Sequence, residues 1–360
     1  METKQVTQNP PSTAATEDLI QKPSKEQTSA QKQHRLRNLL TRPEMVPVGL
    51  LILAIIVGTL LSPYFLDIPF MLSYTLTYIE IGIMILGMVF VIISGNIDLS
   101  PAAGLSLVAC VAGILYFDLG VPMWITIILG LALGTGLGYL NGVLITKLRL
   151  PALAVTLATL ALFRGVANIL VGDDSRPKLA WSRDIIFPTW FTGFAKMTIP
   201  GTPIPLMLVV MLVLAVVLGL LLHKTIFGRW VYAIGTNEEA ARYSGVPTDR
   251  VKRLVFTISG FLFGLAGLMM VSRLGVARYD HGRGWELDVI TATVLGGVAI
   301  TGGRGSMFGA VIAFFLIVVL RTAMGVANIK AESQLFVTGA LLILSVIISN
   351  LTGRLSKKAG

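Results

Sequence analysis

From Met45 to Asn350 the chain is almost continuously apolar, divided into about ten lengths that each approach the span of a bilayer. Hydrocarbon offers no water to backbone N–H and C=O groups, so such lengths must become helices or strands of a closed barrel. Long apolar runs without strand alternation select helices. A crossing helix needs about 20 apolar residues. The candidates are Val46–Leu66, Leu72–Ile93, Leu105–Phe117, Trp124–Leu144, Leu153–Val171, Ile204–Leu222, Leu254–Val271, Val289–Ile300, Gly305–Leu320 and Leu335–Ile348. Several are too short alone and need extension by their neighbours or a break within the membrane. The reading is an all-α polytopic membrane protein of about ten transmembrane helices, with two short or broken elements in pseudo-repeated halves. A hydrophobic fraction of 54% against 13% charged residues places the chain outside the soluble class.

The net charge of +10 raises nucleic acid as a partner. No basic segment is interleaved with aromatic residues, which single-strand binding needs. The cations instead cluster where loops would face the cytoplasm: Lys4 to Arg42, Lys147 with Arg149, Lys224 to Arg253, and Arg354 to Lys358. An inside N-terminus and ten crossings put all four clusters on one side. The expected organisation is a disordered cytoplasmic tail at 1–43, a transmembrane domain at 44–351 and a cytoplasmic tail at 352–360. Within the domain, 224–253 forms a cytoplasmic loop and 172–202 an external one. The tail is too polar to offset the entropy of ordering, and the first apolar run starts too late for a signal peptide.

Catalytic signatures are missing from the sequence. It has no GxxxxGK[ST] phosphate loop, HExxH or GxSxG, and His34, His223 and His281 are scattered. The expectation is a protein that is not an enzyme and does not hydrolyse ATP itself. Cys110 is the only cysteine and lies in an apolar run, where it reads as a packing residue.

Gly130, Gly134, Gly138 and Gly142 recur every four residues, on one helix face, and Gly260 and Gly264 repeat the spacing. Small residues so placed allow close helix approach in membranes. Two segments read as matched breaks: Ser94 to Pro101 (SGNIDLSP) and Gly296 to Gly309 (GGVAITGGRGSMFG). Interrupted hydrophobic segments in corresponding positions mark internal repeats and a substrate path. Candidate path residues are Asn96, Asp98, Ser100, Gly296, Gly297, Gly302 and Gly303. Ordinary tight turns are the alternative. Ionisable residues in or near spans are Glu80, Asp98, Arg164 and Arg321; Asp98 suits a cap for a helix beginning near Pro101.

The polar stretch Gly228 to Arg253 predicts a short helix. Asn237 is a fit N-cap, Glu238 and Glu239 suit the positive helix end, Ala240 and Ala241 favour helix, and Gly245 with Pro247 ends it. Residues Asn237, Glu238, Glu239, Ala240, Ala241, Arg242, Tyr243, Ser244 and Gly245 form a candidate docking element.

Taken in order, GNIDLSPAAG, NGVLITKLRLPALAVTLATL, GRWVYAIGTNEEAARYSGVP and LDVITATVLGGVAITGGRGSMFGA resemble the permease subunits of bacterial sugar-type ABC importers. This group includes ribose, galactose, rhamnose and autoinducer-2 permeases. The likeness runs from about Pro47 to Asn350. One departure is Asn96, where the group's GGIDLS pattern has its second glycine. The resemblance implies a two-copy pore in the bacterial inner membrane, homodimer or heterodimer, working by alternating access. Cytoplasmic ATPase subunits holding ATP and Mg would bind Glu238 to Gly245, and a periplasmic or lipid-anchored binding protein would deliver a monosaccharide. No cofactor or metal is implied in this chain. Alternatives are a permease for branched-chain amino acids or nucleosides, or an ion-coupled secondary transporter.

Overall fold

The computed structural model describes residues 45–61, 65–178 and 186–330, with scattered positions from 333 to 347. The tails at 1–43 and 352–360, and six positions of the run Leu335–Ile348, lie outside the described residues. In chain order the helices are α1 Met45–Leu61, α2 Ile68–Thr77, α3 Ile79–Ile93, α4 Pro101–Gly113, α5 Met123–Lys147, α6 Ala152–Val171, α7 Thr189–Phe194, α8 Leu206–Lys224, α9 Ile226–Thr236, α10 Glu238–Tyr243, α11 Thr248–Leu274, α12 Trp285–Leu295 and α13 Met307–Val326. A π turn at Ile114–Asp118 extends α4.

Among the described residues six helices are long and apolar enough to cross a bilayer: extended α4, α5, α6, α8, α11 and α13. The pair α2 and α3, bent by 61°, would make a seventh. The expected ten are therefore not all present as full-length helices. The run Leu72–Ile93 bends because the Tyr78 N–H reaches the Thr75 carbonyl at 3.2 Å, a tighter closure that ends α2. The apolar part of α1 is only Pro47–Leu60. Helix α12 stops at Gly296 after 11 residues. The supposed loop 224–253 is mostly helical, since α9 fills its first half and α11 already begins at Thr248. The loop 172–202 holds α7, whose Phe191 is buried beside Phe187.

Helix α11 is the axis of the bundle, packed against α5, α4 and α3. Every residue of α3 is buried. The α5–α11 crossing is made by glycine. Gly134 faces the Gly260 carbonyl and Gly264 Cα, Gly138 faces the Phe256 carbonyl and Gly260 Cα, Gly130 meets Leu268, and Gly142 meets the Arg253 backbone. Backbone contact at this range gains dispersion along the whole seam, which replaces the hydrophobic drive that lipid removes. Outward rows such as Ile128, Leu153, Leu157, Val213, Val216 and Leu220 stay exposed and apolar, as a bilayer-facing surface requires.

Two ion pairs are buried in the bundle. Glu80, fully buried at the start of α3, receives two bonds from Arg273 at the end of α11, at 2.9 and 3.2 Å. Asp288 on α12 receives the Arg321 guanidinium of α13 at 2.7 Å on both oxygens. A lone buried charge is strongly destabilising, so each carboxylate depends on its arginine.

Candidate functional site

The two breaks meet. The Gly303 N–H, in the second, donates to the Ile93 carbonyl at the entry to the first, at 2.8 Å. Gly302 lies against Gly95 and the Gly235 carbonyl, and Gly303 lies against Thr236 at the end of α9. Gly302 and Gly303 have φ of +82° and +72°. A side chain at either would meet backbone atoms in a conformation that suits only glycine. Both breaks and the end of α9 thus form one knot of backbone. It is fastened further where the Tyr232 hydroxyl donates to the Gly305 carbonyl at 2.7 Å.

The other candidate path residues lie around this knot. Gly296 packs on the backbone of Gly309 and Ala310, and Gly297 turns the chain with φ +86°. The Asn96 amide donates to the carbonyl and hydroxyl of Ser94. Asp98 does not cap α4. One of its oxygens accepts from the Ser100 N–H at 2.9 Å and hydroxyl at 2.7 Å, and the other from Ser259 of α11 at 3.3 Å. Ser100 is the N-cap residue, but its hydroxyl is directed to Asp98 and accepts from Asn141 at 2.9 Å. The Ile97 carbonyl accepts from Thr156 of α6 at 3.2 Å. The break is thereby pinned to α5, α6 and α11 by buried polar side chains.

Next along the chain stands α10. The Asn237 carbonyl oxygen of its side chain accepts from the Ala240 N–H at 2.9 Å, a cap worth about 1 kcal/mol. Gly245, at φ +83°, closes the helix, with its own N–H on the Arg242 carbonyl and the Val246 N–H on Ala241, both 3.0 Å. Glu238 pairs with Lys252 and Arg242, and Arg242 reaches Asp249 at 3.1 Å. These charges tie α10 to the first turn of α11. Ala241 is buried, while Glu239, Ala240 and Ser244 are exposed and Tyr243 is 91% exposed. Beside this face lies a cavity of about 620 Å³, lined by Glu239, Arg242 and Tyr243 of α10, by Arg149 and Leu150 of the α5–α6 connection, and by Asn96 of the first break. The cavity thus borders both α10 and the first break.

Arg273, Asp288, Asn141, Thr156 and Ser259 were absent from the sequence candidates. Arg273 and Asp288 carried a usable signal, a charge at the edge of an apolar run. The three neutral residues carried none.

Residues 70–346 match the family described as "Branched-chain amino acid transport system / permease component". The ribose import permease protein RbsC of Bacillus subtilis (strain 168) is 39% identical over 303 residues, 84% of this chain and 90% of that protein. The autoinducer 2 import system permease protein LsrD of Escherichia coli (strain K12) is 36% identical over 304 residues, 84% and 91% respectively. No solved structure gives a significant match. The chain belongs to this permease family and is a multi-pass inner-membrane protein.

Proposed function

We propose that this chain is the membrane subunit of an ATP-driven importer for a monosaccharide or a related small sugar. The observation that carries the reading is α10, a short capped helix whose exposed face borders a cavity that Asn96 of the first break also lines. Closure of a partner ATPase pair on α10 moves α9 and the glycine knot with it, and so moves both broken elements. ATP and Mg belong to that partner, a separate binding protein delivers the sugar, and a second permease copy completes the pore. The curated relatives' names, ribose and autoinducer 2, favour a sugar over the amino acids named in the family description.

The test is Gly245→Val together with Glu239→Arg. Valine at φ +83° strains the turn that ends α10, while no atom lies within 4 Å to cause a clash. Expected are normal amounts of permease in the membrane, at least tenfold less co-purifying ATPase, and loss of sugar uptake. Full uptake in both variants would sink the coupling role of α10 and favour a secondary transporter.

Orientation has its own check. In a Cys110→Ala background, Thr236→Cys should react with an impermeant thiol reagent only in inside-out vesicles. Reaction in intact cells would reverse the assigned sidedness.

A further inference from the structure

The segment between α11 and α12 does not stay at the surface. Ala277 pairs through both backbone groups with Arg176, at the level of Gly113, the last residue of α4. Five residues later Gly282 lies against the Ala102 carbonyl and the Leu105 side chain. Eleven residues of helix separate Gly113 from Ala102, about 16 Å. A second measure agrees. Gly267, seven residues before the end of α11, packs on the Leu105 carbonyl, so Leu105 lies about 10 Å below that end and Ala102 about 15 Å. For scale, a hydrocarbon core is about 30 Å thick.

We propose that Val276–Gly284 is a re-entrant loop, and that Asp280, Arg283 and Glu286 at its tip form a contact station for a small polyhydroxylated solute. The choice of ligand class rests on the sugar-importer reading above. Irregular backbone at membrane depth survives only where protein buries it or it lines a watery path. Here protein holds the backbone of the loop. The Arg164 guanidinium of α6 donates to the Tyr279 and His281 carbonyls, both at 2.7 Å, and the Ser106 hydroxyl of α4 also donates to Tyr279 at 2.6 Å. Those groups hold the loop and are spoken for.

The charged side chains of this segment are less enclosed. Arg283 is exposed, and Asp280, though bonded to Arg278, keeps 37% of its side chain accessible. Glu286, in the first turn of α12, has a buried carboxylate oxygen without a partner. Helix α12 begins here, its first N–H, that of Trp285, donating to the Gly282 carbonyl at 3.0 Å. Ionisable groups at this depth face a path or each other, and half-helix ends near the midplane are where transporters hold substrates. The set mixes carboxylate acceptors with a guanidinium donor. Sugar hydroxyls donate and accept at once, so such a set suits them better than an anion or a cation.

The test uses the assembled transporter with Cys110→Ala. Arg283→Cys and Glu286→Cys should react with a small impermeant thiosulfonate, and Leu268→Cys, buried at similar depth, should not. Labelled pentoses and hexoses serve as probes, and the one taken up fastest by the parent protein is used further. That sugar should slow modification at both cysteines, and Glu286→Gln should lower its uptake at least tenfold while ATPase co-purification stays normal. No reaction at 283 and 286 above the Leu268 level overturns the re-entrant loop. Unchanged uptake in both Glu286→Gln and Arg283→Ala overturns the station. If the parent protein takes up no sugar of the panel, the sugar reading fails, while the thiol result still decides whether the loop is re-entrant.

Discussion

Gly138→Leu is expected to leave almost no folded permease, while Gly136→Leu, two positions away, gives a normal yield. A Cβ at Gly138 would lie 2.2 Å from the Phe256 carbonyl oxygen and 2.6 Å from Gly260 Cα. Both are backbone atoms, so no side chain can rotate aside. Relief requires α5 and α11 to separate along the seam that joins Gly130, Gly134, Gly138 and Gly142 to α11. Overpacking of a core typically costs about 1–3 kcal/mol, and separation of a whole helix crossing in lipid exceeds that, because contact at close range is its main support. At Gly136 nothing lies within 4 Å, so leucine there projects into open space. The measurement is the amount of monodisperse protein after detergent extraction. A normal peak for Gly138→Leu would mean that the two helices do not cross closely.

The glycine stripe was legible because close helix contact leaves a local, periodic trace. The helix at Glu238 was legible for a similar reason: Asn237 and Gly245 set its ends through bonds spanning three to five residues. The breaks were readable one at a time, from Gly, Pro and Ser, but their meeting with Gly235 and Thr236 is tertiary and has no local sign. Asp98 shows the limit well. Its position before Pro101 suggested a cap, yet the partner that fixes it, Ser259, comes from a helix 161 residues away. Helix α9 was read as loop because Arg229 and Trp230 interrupt its apolar pattern. The descent of Val276–Gly284 was invisible for a related reason. A short polar stretch between spans looks like any surface connection unless the arginine that draws it inward, Arg164, is known to face it.

Arg273→Met should be among the most destabilising single changes in the bundle, and Glu80→Met in the same chain should restore most of the loss. Glu80 is fully buried, and among the described residues its carboxylate is bonded by the Arg273 guanidinium and by local backbone. Removing the arginine leaves a bare charge in hydrocarbon, which costs about 3–5 kcal/mol. Replacing both partners by apolar residues of similar size removes the desolvation burden along with the attraction, and such exchanges are often neutral. A small deficit should remain, because Arg273 also donates to the Thr77 carbonyl at 3.4 Å and so helps close α2 at its bend with α3. On a domain of this size the single change should lower the midpoint of thermal unfolding by about 10 °C. The readout is the melting curve of detergent-solubilised protein for both variants. Equal losses in the single and double variants would show that the pair acts through shape at the bend rather than through its charge, and that Glu80 tolerates its burial without a cation.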